Sequence, residues 1–79
     1  MTGTRAHVVL PAYNEEAAIG RVLDRIEQAL DAAGIGHTVL VVDDGSRDAT
    51  ARIVEERAAR RAAVRLERHA TNLDRKSVV

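Results

Sequence analysis

Two clusters of polar side chains carry whatever chemistry this chain can do. Tyr13-Asn14-Glu15-Glu16 closes the apolar run Val8-Val9-Leu10-Pro11-Ala12, and Asp43-Asp44-Gly45-Ser46 closes the run Val39-Leu40-Val41-Val42. Carboxylates accept hydrogen bonds, and amides, hydroxyls and a phenol both give and accept them, so each cluster can grip a polar small molecule. Polar groups just beyond the carboxyl ends of two neighbouring strands are where an open α/β sheet builds a ligand site. Other chemistries are closed off. There is no cysteine, which excludes thiol nucleophiles, thiolate metal sites and disulfides. His7, His37 and His69 show no ligand spacing with one another or with the acids. They are expected on the surface or at strand edges, and no metal site is expected within the chain.

The elements that must position these clusters are legible in the pattern. His7 to Leu10 reads as a strand apolar on both faces, as parallel strands are when helices cover them. Asn14 suits a helix N-cap, and Glu15 and Glu16 then fall in a first turn where the helix dipole favours negative charge. Ile19, Val22, Leu23, Ile26, Ala29, Leu30 and Ala33 recur at helical spacing, and Gly34 and Gly36 supply the stop. Thr38 to Val42 is a second apolar strand, expected at the centre. Ser46 or Asp48 caps a second helix through about Arg61, with Ala49, Ile53, Val54 and Ala58 inward. Alternation over Ala63-Val64-Arg65-Leu66-Glu67 predicts a third strand nearer an edge. With right-handed crossovers, the order β-α-β-α-β makes an α/β fold, a three-layer, Rossmann-like parallel half-sheet. Residues 11–16 and 43–48 should then share one cleft.

Composition bounds the rest. Seventy-nine residues allow one small domain. Apolar residues make up 46%, but alanine accounts for many of them, so the core is thin. Chains below about 70–80 residues seldom draw more than about 3–5 kcal/mol from a single core, which points to a partial domain. Twelve basic residues balance twelve acidic ones, and that balance argues against a sequence-independent grip on nucleic acid. The arginines at 57, 60, 61, 65 and 68 read as a solvated helix face and its adjoining strand. The first apolar run is short, contains Pro11 and meets Glu15-Glu16, unlike a signal peptide. No stretch approaches the roughly 18–20 apolar residues of a membrane span. The chain is cytoplasmic in character, although a full-length protein could still associate with a membrane.

Several nucleotide fingerprints are missing. No G-x-G-x-x-G follows the first strand and no G-x-x-x-x-G-K-[ST] occurs, so neither a dinucleotide-binding loop nor a P-loop is present. In their places stand Pro11-Ala12-Tyr13-Asn14-Glu15-Glu16 and Asp43-Asp44-Gly45-Ser46-Arg47-Asp48-Ala49-Thr50. Here the chain resembles the family 2 glycosyltransferases, inverting enzymes of the GT-A fold. They open with a strand ending P-x-Y-N-E, a helix, and a strand ending V-D-D-G-S-x-D-x-T. The resemblance spans roughly residues 7–73, and the P-A-Y-N-E-E variant is similar to the dolichyl- and polyprenyl-phosphate sugar synthases.

That resemblance implies a nucleotide-sugar site, for a UDP- or GDP-linked donor, at Pro11, Tyr13, Glu15, Asp43, Asp44, Gly45 and Ser46. A carboxylate that accepts an imide N–H separates uracil and guanine from bases lacking that donor. Side chains of adjacent strand residues diverge, so one of the two aspartates faces the base. The family motif assigns that role to Asp44, with Asp43 bracing the loop. Gly45 lets the backbone approach the ligand, and Ser46 can cap the next helix. For the acidic pair, ordinary Asp-Gly-Ser turn chemistry is the alternative. Tyr13 either covers the base or fills the core, and the family favours a nucleotide contact, with Glu15 on a ribose hydroxyl. Pro11 fixes the strand exit, and Asn14 is first a cap.

The resemblance fades at the end. After Leu73 the family continues with a glycine, a basic residue and a helix; here Asp74-Arg75-Lys76-Ser77-Val78-Val79 follows. Residues 1–73 are therefore expected to form a partial family domain, and 74–79 a tail unlike the family, suggesting truncation. A complete enzyme would bind Mg2+ or Mn2+ through a later D-x-D motif and carry a catalytic base, and neither occurs in this chain. The expectation is the N-terminal fragment of an inverting glycosyltransferase acting on an acceptor hydroxyl or lipid phosphate, inactive by itself. A non-catalytic nucleotide-binding module completed by a partner chain is the alternative. A phosphoacceptor domain fits poorly, because the acidic pair follows the second strand.

Overall fold

A computed structural model describes residues 5–69. The elements are β1 (Arg5–Ala12), α1 (Ile19–Ala32), β2 (Gly36–Asp43), α2 (Thr50–Arg60) and β3 (Val64–Arg68). The strands are parallel in the order β1-β2-β3, so β2 is central and β3 an edge. Residues 70–79, including the whole of the 74–79 tail expected to depart from the family, lie outside the described residues.

Each element follows from local chemistry. α1 ends where Gly34 turns left-handed at φ 71. Gly34 N–H reaches the Asp31 carbonyl at 3.0 Å and Ile35 N–H reaches that of Leu30 at 2.9 Å. This pair of bonds is the Schellman closure that glycine allows. β1 runs past the expected His7–Leu10 to include Pro11, which pairs with Val42. A proline, lacking an N–H, is tolerated because β1 is an edge strand among the described residues.

Strand register sets the core. Val8, Val39 and Val64 stand in one row, and Leu10, Val41 and Leu66 in the next. Val39, Val41 and Val64 are buried with Ile19 and Leu23 of α1 and Val54 of α2. Burying each such side chain contributes about 1.5–3 kcal/mol relative to exposure. Both crossovers step the same way across the sheet, and right-handed connections then put both helices on one face. Arg57 Nη1 meets Asp24 at 2.8 Å and Arg61 Nε meets the buried Glu27 at 2.5 Å. These arginines, expected on a solvated face, pin α2 to α1.

Two of the three expected layers are thus present among the described residues. The opposite sheet face carries His7, Val9, Thr38, Leu40 and Val42 with no described element over it, and Val9 is 63% exposed. His7 Nδ1 lies 2.8 Å from Thr38 Oγ1 on that face. His37, expected at the surface, is instead buried on the helix side, its Nδ1 3.2 Å from the Ile35 carbonyl. It belongs to the same alternation that buries Val39, Val41 and Asp43. No described helix is long and apolar enough to cross a membrane.

Candidate functional site

The parallel register brings Ala12, Asp43 and Arg68 side by side at the carboxyl edge, and the two polar clusters meet there. Asp44 N–H extends the ladder by donating to the Ala12 carbonyl at 3.0 Å. Beyond that bond the loops hold each other through side chains. The backbone N–H groups of Asn14, Glu15 and Glu16 donate in succession to Ser46 Oγ at 2.8 Å, Thr50 Oγ1 at 2.7 Å and Asp48 Oδ2 at 3.1 Å. In return, Arg47 N–H donates to Asn14 Oδ1 at 2.8 Å and Ala49 N–H to Glu16 Oε1 at 2.9 Å. Asn14 takes φ 50 to aim these amides. That left-handed conformation is one asparagine tolerates better than most residues.

Two expected helix caps are corrected by this network. α1 begins at Ile19 with Ala18 as its N-cap, so Asn14 caps no helix and Glu15 and Glu16 precede the first turn. Ser46 does not cap α2: its hydroxyl donates to Asp43 Oδ1 while its oxygen accepts from Asn14. Asp48 Oδ1 accepts the N–H of Thr50, the first residue of α2, at 2.9 Å. The side chains of Asn14 and Ser46 join the two loops and close no helix.

Asp43 is fully buried. Besides the Ser46 hydroxyl it faces Ser46 N–H at 3.4 Å and Arg68 Nε at 3.6 Å, and its carbonyl accepts His69 N–H at 2.8 Å. Gly45, at φ 84, turns the chain back so that Ser46 can reach Asp43. Asp44, Tyr13, Glu15 and Pro11 are exposed. Tyr13, at 56% exposure, is not a core residue, which removes the core-filling alternative. The two aspartates diverge as neighbours on a strand should, one inward and one to solvent.

Charge at the edge is tuned by the same bonds. Desolvation pushes the Asp48 carboxyl up. Hydrogen bonds from the Thr50 hydroxyl and from backbone N–H groups, those of Thr50 and Glu16 among them, outweigh it and hold Asp48 below the usual 3.8. No group of three or more His, Asp or Glu side chains that could hold a metal ion occurs among the described residues. Glu16, Asp48, Thr50 and Arg68 went unassigned as binding groups in the sequence. Thr50, fully buried at a helix start, was signalled only by the D-x-T spacing that places its hydroxyl near Asp48.

Comparison with known proteins agrees with this geometry. The family described as Glycosyl transferase family 2 matches residues 7–78. The chain is 44% identical over 52 residues to an undecaprenyl-phosphate 4-deoxy-4-formamido-L-arabinose transferase of Shewanella sediminis. It is 43% identical over 53 residues to the enzyme of that description in Pseudomonas paraeruginosa, and 38% over 52 in Aeromonas hydrophila. These matches cover 66%, 67% and 66% of the chain but 16% of each relative. The chain therefore spans only a small part of their length. A β-α-β-α-β half-sheet with both family motifs brought together at its carboxyl edge, and a match over most of its residues, make this chain a member of glycosyl transferase family 2.

Proposed function

We propose that the carboxyl edge of the sheet binds the nucleoside end of a UDP- or GDP-linked sugar. Asp44 accepts the base's imide N–H, Tyr13 lays its ring against the base, and Glu15 accepts from a ribose hydroxyl. Pro11 and Gly45 shape the backbone, and Asp43 and Ser46 hold the loop that presents Asp44. One observation carries this reading: Tyr13, Glu15 and Asp44 are exposed together on two mutually bonded loops, while Asp43 is sealed beneath them. A carboxylate on a loop held by these bonds discriminates once the bound base covers it from water, because a base without the imide donor then offers it no hydrogen bond.

In the complete enzyme the reaction is a single displacement. An acceptor oxygen attacks the anomeric carbon, the bond to the diphosphate breaks, and configuration inverts. The relatives are named for undecaprenyl phosphate, which supports a polyprenyl phosphate as acceptor and a membrane-associated full-length protein. Bound Mg2+ or Mn2+ would stabilise charge on the leaving diphosphate; the residues to hold it, and the base, are expected outside this chain. The 79-residue chain should therefore bind nucleotide and transfer nothing. Calorimetric titration with UDP, GDP, CDP and ADP tests the binding step. Binding of UDP or GDP, with CDP and ADP much weaker and Asp44→Asn erasing the difference, is the expected result. Equal binding of UDP and CDP would remove the carboxylate–imide contact.

A second reading draws on the bare sheet face. With Val9 63% exposed there, the site works only once a further layer, from the same polypeptide or a partner chain, covers that side. Weak nucleotide binding by the isolated chain that strengthens in a longer polypeptide would favour it.

A further inference from the structure

We propose that Arg68 is a positioning residue for the loop that carries Tyr13 and Glu15, acting through Asp43, Ser46 and Asn14. The inference rests on the nucleotide reading only in its last step, the effect on affinity. A relay of contacts crosses all three strand ends. Arg68 Nε on β3 faces Asp43 Oδ2 at 3.6 Å, and Asp43 Oδ1 receives the Ser46 hydroxyl. Ser46 Oγ accepts Asn14 N–H at 2.8 Å, and Asn14 Oδ1 accepts Arg47 N–H at 2.8 Å. Asn14 lies between Tyr13 and Glu15, so the relay ends where the exposed groups begin.

The direction of the relay follows from donor chemistry. A hydroxyl has one proton. While that proton is committed to Asp43 Oδ1, Ser46 Oγ is left as an acceptor aimed at Asn14. Asp43 is fully buried, and a buried carboxylate keeps its charge and orientation only with compensating partners. Among the described residues, Arg68 is the basic side chain within 4.0 Å of it. β1 offers Ala12 at the same level, with no charge. Removing Arg68 frees the Asp43 carboxylate to turn, the Ser46 proton loses its fixed acceptor, and Asn14 N–H loses its own. Arg68 is itself 54% exposed, so truncating its head disturbs little packing.

The test is amide hydrogen exchange on the 79-residue chain, read by NMR without ligand. Arg68→Met should speed exchange at Asn14 and Arg47 about tenfold, the effect of losing roughly one hydrogen bond, with Leu23 in α1 unchanged. Arg68→Lys, which restores the charge, should bring both amides back to within about threefold of the parent. Ser46→Ala, which breaks the relay with Arg68 in place, should reproduce the acceleration at Asn14. Unchanged Asn14 exchange in Arg68→Met, or equal acceleration at Leu23 and Asn14, overturns the proposal. In titrations with UDP, Arg68→Met should bind more weakly than the parent and Arg68→Lys should recover. Absence of UDP binding by the parent would count against the nucleotide reading and leave the exchange result intact.

Discussion

Asp43 and Asp44 are neighbours with the same side chain, and they should fail in opposite ways. Asp43→Ala removes the acceptor for the buried Ser46 hydroxyl and for the longer 3.4 Å contact from Ser46 N–H. A buried donor left without a partner costs about 1–3 kcal/mol. The hydroxyl takes most of that cost, the long amide contact adds less, and Arg68, half in water, adds little. Relief from burying a charge offsets part of the loss, which leaves a net destabilisation of about 2–3 kcal/mol. For a domain of this size each kcal/mol lowers the melting temperature by about 4–8 °C. Asp43→Ala should therefore melt some 8–24 °C lower on that scale, close to unfolding if total stability is only about 3–5 kcal/mol. Asp43→Asn keeps the shape and one acceptor, and should lose about half as much. Asp44 is exposed, and Asp44→Asn should shift stability by less than about 1 kcal/mol while removing selectivity for imide-bearing bases. Far-UV circular dichroism melts of the three variants, paired with UDP and CDP titrations, read both effects. If Asp44→Asn lowered the melting temperature as much as Asp43→Ala, the assignment of one aspartate to support and the other to recognition would be refuted.

Two further outcomes are expected. Because the folded-state pKa of Asp48 is lowered, its ionised form contributes stability above its unfolded value, near 3.8, and that stability is lost as pH falls through the lower folded value. Asp48→Asn should accordingly flatten the acid limb of stability between about pH 5 and 2 in urea titrations, and an unchanged limb would contradict it. Arg61→Met should destabilise the fold by about 1–3 kcal/mol by stranding the buried Glu27, less than for a fully buried pair because water reaches the half-exposed arginine. Adding Glu27→Leu should restore part of that loss in thermal melts, whereas a double variant no more stable than the single would sink the account.

Much of the fold was legible before any coordinates. Continuous apolar runs at 8–10 and 39–42, a helical stripe from Ile19 to Ala33 and a glycine stop led directly to parallel strands alternating with helices. These are short-range properties, set by side-chain periodicity and backbone freedom. The meeting of the two polar clusters was also foreseeable, because parallel order leaves their strand ends little other place to go. Capping was misread for a related reason. Asn14 and Ser46 are residue types that satisfy helix amides, and local sequence offers no sight of a better partner 32 residues away.

What the chain determined by itself was which groups exist and which strand ends they leave. The tertiary structure decided which of them face outward. Asp43 and Asp44 are interchangeable in composition, and only strand phase against the helix layer buries one at 0% exposure and leaves the other in solvent. His37 went inward by the same alternation, and Arg57 became largely covered while the half-exposed Arg61 turned toward α1, because acids of α1 stand opposite them. The fates of these side chains depend on contacts between distant residues, and such contacts arise only once β1, β2 and β3 have taken their places in one sheet.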